Sequence, residues 1–191
     1  MPRSLLSTRK VRAGGINAVR RGMALQEPWT FPAGSYSFIV PETGDWQFVG
    51  WSAGANGSAG SPSASGAYFE LTRRLTVDAV VVIDVSAVGS TDTTVTLPDG
   101  TSATATRASG ATPGAASGGD VNLAGSAPET AGSGDGGGAS GTGMGGGAPG
   151  QLPFRGGSAT TSHATGHGAG GGDSGAFNAA GHGLVQAMRV R

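Results

Sequence analysis

The sequence predicts an all-β protein: a small antiparallel β-sandwich, jelly-roll-like, followed by a glycine-rich region and a short closing C-terminal strand. Three observations carry this. Short apolar runs alternating at period two recur between residues 28 and 108, each bounded by Gly, Pro, Asp or Ser. Glycine then takes over, with 26 of the chain's 38 glycines in the 75 residues from 109 to 183. Finally, Leu184, Gln186, Met188 and Val190 fall on one face at period two, so the chain comes back from the glycine-rich stretch as a strand. Four units follow: a basic arm at 1–27, the sandwich at 28–108, the glycine-rich region at 109–183 and the closing strand at 184–191.

Residues 35–40 alternate between Pro32 and Pro41, and proline punctuates strand ends because it lacks the N–H a ladder needs. A turn at 42–45 leads to Trp46-Gln47-Phe48-Val49-Gly50-Trp51, with Trp46, Phe48 and Gly50 on one face and Gln47, Val49 and Trp51 on the other. A Gly/Ser/Ala loop at 53–66 precedes a strand at 67–72 and a short one at 75–77. Residues 79–85 form a nearly continuous β-branched run, the pattern of a central strand buried on both faces. Pro98-Asp99-Gly100 turns one Thr-rich strand, 93–97, into another, 101–106. Trp46, Phe48, Tyr68 and Phe69 are the expected aromatic core between the sheets.

The glycine-rich region admits no side-chain core, because glycine loses the most backbone entropy on ordering and gains the least from burial. Collagen is excluded, since Gly132, Gly134, Gly136, Gly137 and Gly138 change phase within seven residues. Two readings remain open: partial disorder, or packed polyglycine-type helices whose bare backbones approach until N–H and C=O pair between chains.

Net charge is zero but unevenly placed. Arg3, Arg9, Lys10, Arg12, Arg20 and Arg21 put six positive charges in the first 21 residues with no acid, and the remainder has six basic and twelve acidic residues. The arm therefore reads as a docking segment, these six residues being its candidate contacts; nucleic-acid binding is the weaker reading because no aromatic residues interleave them. No cysteine is present, which excludes disulfides and thiolate metal sites. No apolar run reaches the roughly 18 residues of a membrane span, and the first residues hold none long enough for a secretory signal.

Catalysis is not expected. His163 and His167 are four apart, a metal-pair spacing on a helix, but Gly166 and Gly168 argue against a helix there. The glycine runs contain no phosphate-loop motif, and Lys10 is the chain's sole lysine. Asp45, Asp84, Asp99 and Asp135 have no nucleophile or base partner at a telling spacing, and Asp99 reads as a turn residue. No metal site and no cofactor are predicted.

The order of elements resembles the glycine-rich domain of bacteriophage tail and tail-fibre proteins. The residues that carry the likeness are Tyr36-Ser37-Phe38-Ile39-Val40-Pro41, then Trp46 to Trp51 with Ser52-Ala53-Gly54-Ala55-Asn56-Gly57, Gly66-Ala67-Tyr68-Phe69-Glu70-Leu71, and the closing Gly181-His182-Gly183-Leu184-Val185. The likeness spans about residues 28 to 191. It departs from the pattern in the first loop, where Ser and Ala replace many glycines, and after Val85, where the glycine cluster shrinks to Val88-Gly89-Ser90. It implies a virion structural protein, assembled in the bacterial host cytoplasm, whose glycine-rich region meets the host surface. By that analogy the non-glycine islands supply receptor contacts, with Asn122, Leu152, Phe154, Arg155 and His163 as candidates. The expected partners are other virion proteins of tail, fibre or capsid, reached through the arm, a host cell-surface receptor, and further copies of the chain, a trimer being the expected oligomer. The alternatives are a head-fibre or capsid-decoration protein docked through the arm, and a nucleic-acid-binding protein using residues 1–21.

Overall fold

Ten strands, every pairing antiparallel, form two five-stranded sheets in the computed structural model, which describes residues 28–57, 63–127 and 180–190. In chain order they are β1 (Trp29–Phe31), β2 (Gly34–Ile39), β3 (Gly44–Trp51), β4 (Tyr68–Leu75), β5 (Val80–Val85), β6 (Thr93–Thr96), β7 (Ser102–Ala105), β8 (Ala116–Ser117), β9 (Val121–Leu123) and β10 (Leu184–Arg189). The first sheet runs β1-β10-β3-β4-β9 and the second β2-β5-β6-β7-β8. No helix occurs among the described residues. The all-β sandwich expected from the sequence is thus the fold, with its first and last strands as neighbours.

The core lies between the sheets. Trp46, Phe48, Phe69, Leu71, Val185 and Ala187 come from the first sheet, and Phe38, Val81, Ile83, Val95 and Ala103 from the second. Phe38 is its hub. Its ring meets Trp46 at 5.4 Å, Trp29 at 5.7 Å, Phe31 at 5.8 Å and Phe48 at 6.3 Å between centroids, in the tilted and edge-on arrangements that aromatic quadrupoles favour. The Trp46 indole N–H donates to Glu42 O at 3.1 Å, so its burial leaves no polar atom stranded.

Several expectations shift once partners are known. The β-branched run of β5 is buried on one face only: Val81, Ile83 and Val85 face the core, while Val80 and Val82 are 46% and 44% exposed, because nothing described packs on the outside of the second sheet. Tyr68 is buried, but on the outer face of the first sheet beside Trp51 (ring centroids 5.2 Å), in a cluster with Val49 and Leu184 separate from the main core. Its hydroxyl donates to Glu70, and burial, with that hydrogen bond second, pushes its pKa upward. The strand expected at 75–77 is the end of β4 followed by a turn at Val77–Asp78, with Asp78 at φ 65°. In β10 the inward residues are Val185 and Ala187; the face carrying Gln186, Met188 and Val190 points outward. The sheets also continue beyond residue 108, since β8 and β9 add an edge strand to each.

Strand β9 is held to β4 by more than its short ladder. Arg73 Nη1 donates to Asp120 Oδ1 at 2.7 Å, and the Thr72 N–H donates to Asp120 Oδ2 at 2.7 Å. The Arg73 hydrogen bond, then the Thr72 one, hold the Asp120 carboxyl below its ordinary value of 3.8. A carboxyl depressed in the folded state stabilises the fold above its unfolded pKa, and that contribution disappears as pH falls through the folded value. Stability should therefore drop with acid below about pH 4, and Asp120→Asn should flatten that limb in urea titrations run across pH. Phe38→Ala should cost about 3–5 kcal/mol in denaturant unfolding, by transfer loss plus the cavity left among four aromatic rings.

Candidate functional site at the glycine-rich end

Residues 52–57, 63–67, 106–115, 124–126 and 180–183 meet at one end of the sandwich, beyond Trp51, Tyr68, Ala105 and Leu184, where the ladders stop. They are almost all Gly, Ala and Ser, and side chains shrink toward them. Along the inner face of β3 the order is Trp46, Phe48, Gly50, then Ser52. With no bulky groups between them, the backbones themselves come into contact.

Hydrogen bonds take over where side-chain packing ends. Residues 63–67 bond to three neighbouring segments, 52–57, 106–115 and 124–126. Ala55 N–H donates to Ala64 O (3.2 Å), Ala64 N–H to Gly110 O (2.8 Å), Gly114 N–H to Ser65 O (3.0 Å) and Ser65 N–H to Ser126 O (3.1 Å). A strand within a sheet has two hydrogen-bonded neighbours, so three means pairing in more than one plane. Further bonds join Gly125 N–H to Gly114 O (2.9 Å), Ala108 N–H to Ala53 O (3.0 Å) and Gly54 N–H to Gly181 O (3.1 Å).

Buried hydroxyls tie this layer to both sheets. Thr93 Oγ1, from β6, donates to Trp51 O in β3 at 3.0 Å and accepts the Ser86 N–H at 3.0 Å. Ser86 Oγ accepts the Ala53 N–H at 2.6 Å, while Ser52 Oγ accepts the Ala67 N–H (2.8 Å) and donates to Thr106 O (2.6 Å). Gly183 N–H donates to Ser86 O at 2.9 Å, so the returning chain is fastened to the same pins. These hydroxyl pins were not among the sequence-derived candidates: a serine or threonine in a low-complexity stretch carries no mark of its partners.

The glycines here are set by space. A Cβ on Gly114 would lie 2.0 Å from Thr106 O, one on Gly125 2.0 Å from Ser65 O, and one on Gly66 2.3 Å from Ser52 O. All three meet backbone, which cannot rotate aside as a side chain would.

This end is a root for the glycine-rich stretch. The chain leaves it after Ser126, bonded to Ser65, and returns at Ala180 and Gly181, bonded to Asn56 and Gly54. Because Ala55 and Ala64 pair, the leaving and returning chains are linked through three chain spacings, which puts them at most about 15 Å apart. A cleft of about 400 Å³ lined by polar and apolar residues alike, Ser35, Asp84, Ser90 and Thr91 with Ala33, Val85 and Ala87, opens beside the 86–92 loop, and a second of about 240 Å³ lies near Arg73, Arg74, Leu97 and Asp99. His182 Nδ1 accepts the Val88 N–H at 3.1 Å. Asp99 accepts the Thr101 N–H at 2.9 Å, which is its role in the turn.

Of the receptor-contact candidates, Asn122 sits in β9, with both ends of its amide used locally: Oδ1 accepts the Gly119 N–H at 3.0 Å and Nδ2 donates to Gly119 O at 2.8 Å. Leu152, Phe154, Arg155 and His163 lie outside the described residues, as do the arm residues Arg3, Arg9, Lys10, Arg12, Arg20 and Arg21. Among the described residues no three His, Cys, Asp or Glu side chains converge, and no helix is long and apolar enough to cross a membrane.

Gly114→Ala and Gly125→Ala should each lower stability by about 1–3 kcal/mol or more through overpacking against backbone. Gly110→Ala, at φ +56° with nothing within 4 Å of the added methyl, isolates the conformational cost, about 1 kcal/mol. Thermal melts of the three variants test the ordering. No protein-family model matches the chain, and no curated protein matches it.

Proposed function

We propose that the chain is a non-enzymatic bacteriophage virion component of the tail or tail fibre. In this reading the sandwich is a rigid base, and the glycine-rich region is carried outward to engage the host surface. The observation that supports it most is the root: a half-buried end made mostly of Gly, Ala and Ser, with the long glycine-rich excursion leaving and returning through it. Backbone hydrogen bonds and hydroxyl pins hold both ends of the excursion, which fixes where on the sandwich the glycine-rich region begins and ends, as a recognition element needs. The order of strands and loops that resembles phage tail glycine-rich domains supports the same assignment. In this scheme the basic arm makes the attachment to neighbouring virion proteins.

Replacing residues 129–178 with a short Gly/Ser connector tests the reading, because the two anchored ends lie close enough to be bridged. The shortened chain should keep the β-type circular dichroism and cooperative melt of the full chain. It should lose binding to host cell envelopes, scored by co-sedimentation with envelope fractions from a panel of bacteria. Equal co-sedimentation of the two proteins would overturn the recognition role, and absence of envelope binding by the full chain would turn the assignment toward a capsid or spacer role.

A further inference from the structure

The two sheets differ on their outer faces. On the first, Trp51, Tyr68, Val49 and Leu184 are buried. On the second, Ile39 is 60% exposed and stands directly opposite Val80, with Val82 two residues further along β5. The rest of that face is Ser35, Ser37, Thr94, Thr96, Ser102, Thr104 and Ser117 with one acid, Asp84, and it carries no lysine or arginine. Asp78, in the turn leading into β5, adds a second negative charge at its apolar end. An apolar patch flanked by acids and free of bases fits a segment that is both apolar and basic.

Such a segment begins a few residues away. The described chain starts at Pro28, and Trp29, itself 46% exposed, packs on Phe38, the residue before Ile39. Beyond Pro28 come Leu25, Met23, Arg21, Arg20 and Val19. Strand β2 is the edge of its sheet, so the way from Trp29 to Ile39, Val80 and Val82 passes around one strand. Six extended residues reach about 20 Å, which spans the roughly 10 Å between the two sheets and the roughly 4.8 Å across β2.

We propose that the outer face of β2 and β5 at Ile39, Val80 and Val82 is the docking surface for the chain's own N-terminal arm, through residues 19–25. Met23 and Leu25 cover the apolar patch, Arg21 shares their face of the extended arm, and the charges of Arg20 and Arg21 are drawn by the acids that flank the patch, Asp84 and Asp78. The same copy's arm takes the site because tethering beside it gives a local concentration in the millimolar range, which a second copy in dilute solution does not reach. The described body favours the same pairing, with Arg73, Arg74, Arg107 and Arg189 against eight acids, hence −4. A partner that recruits the arm then uncovers this face, so attachment and exposure of the patch are linked. The inference does not depend on the chain being a virion component.

The chain has no cysteine, so introduced pairs are its only thiols. In the full-length protein, Met23→Cys with Val80→Cys should form an intrachain disulfide about tenfold faster than Met23→Cys with Ser117→Cys, whose second site is exposed on the opposite edge of the same sheet. Adding Arg20→Glu and Arg21→Glu should slow the first pair roughly three- to tenfold, as should high salt. Equal rates for the two pairs would overturn the proposal. So would a disulfide-linked dimer from an equal mixture of the single variants Met23→Cys and Val80→Cys, which would give the face to a second copy's arm.

Discussion

The first sheet depends on its last strand. β10 lies between β1 and β3, pairing six residues with β3 and three with β1, so neither the complete five-stranded sheet nor the inward placement of Val185 and Ala187 exists until the chain has come back. Sixty residues separate Leu123 from Leu184. The entropy of closing so long a loop grows only logarithmically with its length, so an extended excursion is thermodynamically tolerable provided its ends are pinned. The root supplies the pins, and every segment of it lies beside the leaving or returning chain. Closure of the fold and anchorage of the glycine-rich region are one structural event. The dominance of non-local pairing also implies slow folding, since β10 finds its place only after the rest of the chain is made.

From one end of the sandwich to the other, the source of cohesion changes. Around Phe38, Trp46 and Phe48 it is apolar burial and ring packing. By Gly50, whose missing Cβ leaves room for the Phe69 ring, side chains are giving way to backbone. At residues 63–67 cohesion rests on hydrogen bonds in several directions and on buried hydroxyls. A core of that kind requires that every polar group find a partner, because a buried N–H or C=O left unpaired costs about 1–3 kcal/mol. It also requires small residues, since a single added methyl at Gly114 or Gly125 would meet a backbone oxygen.

The two outer faces have separate uses. The buried Trp51–Tyr68 cluster makes the first sheet a second layer of core, with Gln47 and Tyr68 both hydrogen-bonded to Glu70. The second sheet presents hydroxyls, one apolar patch and no positive charge. A surface of that composition beside the junction of a basic arm links the two features of the chain that its charge distribution sets apart.

Much of this was legible in the chain itself. Period-two alternation located β2, β3, β4, β6, β7 and β10, because in a strand successive side chains must point to opposite faces whatever lies around them, and a continuous β-branched run located β5. Pro98-Asp99-Gly100 located the β6–β7 turn, since its geometry is local. The candidate site was legible only as composition, in the Gly/Ser/Ala loop at 53–66 and the glycine-rich stretch after residue 108; its hydroxyl pins and its obligatory glycines were not. Tertiary structure alone decided which face of a strand is covered, and so it turned Val80 and Val82 outward, set Tyr68 on the far side of the first sheet, and turned Val185 and Ala187 of β10 inward. It alone made strands of β1, β8 and β9, three, two and three residues long, too short to show a period and ordered by the neighbour each one pairs with. Alternation is a property of one chain, whereas burial and pairing belong to the chains brought beside it.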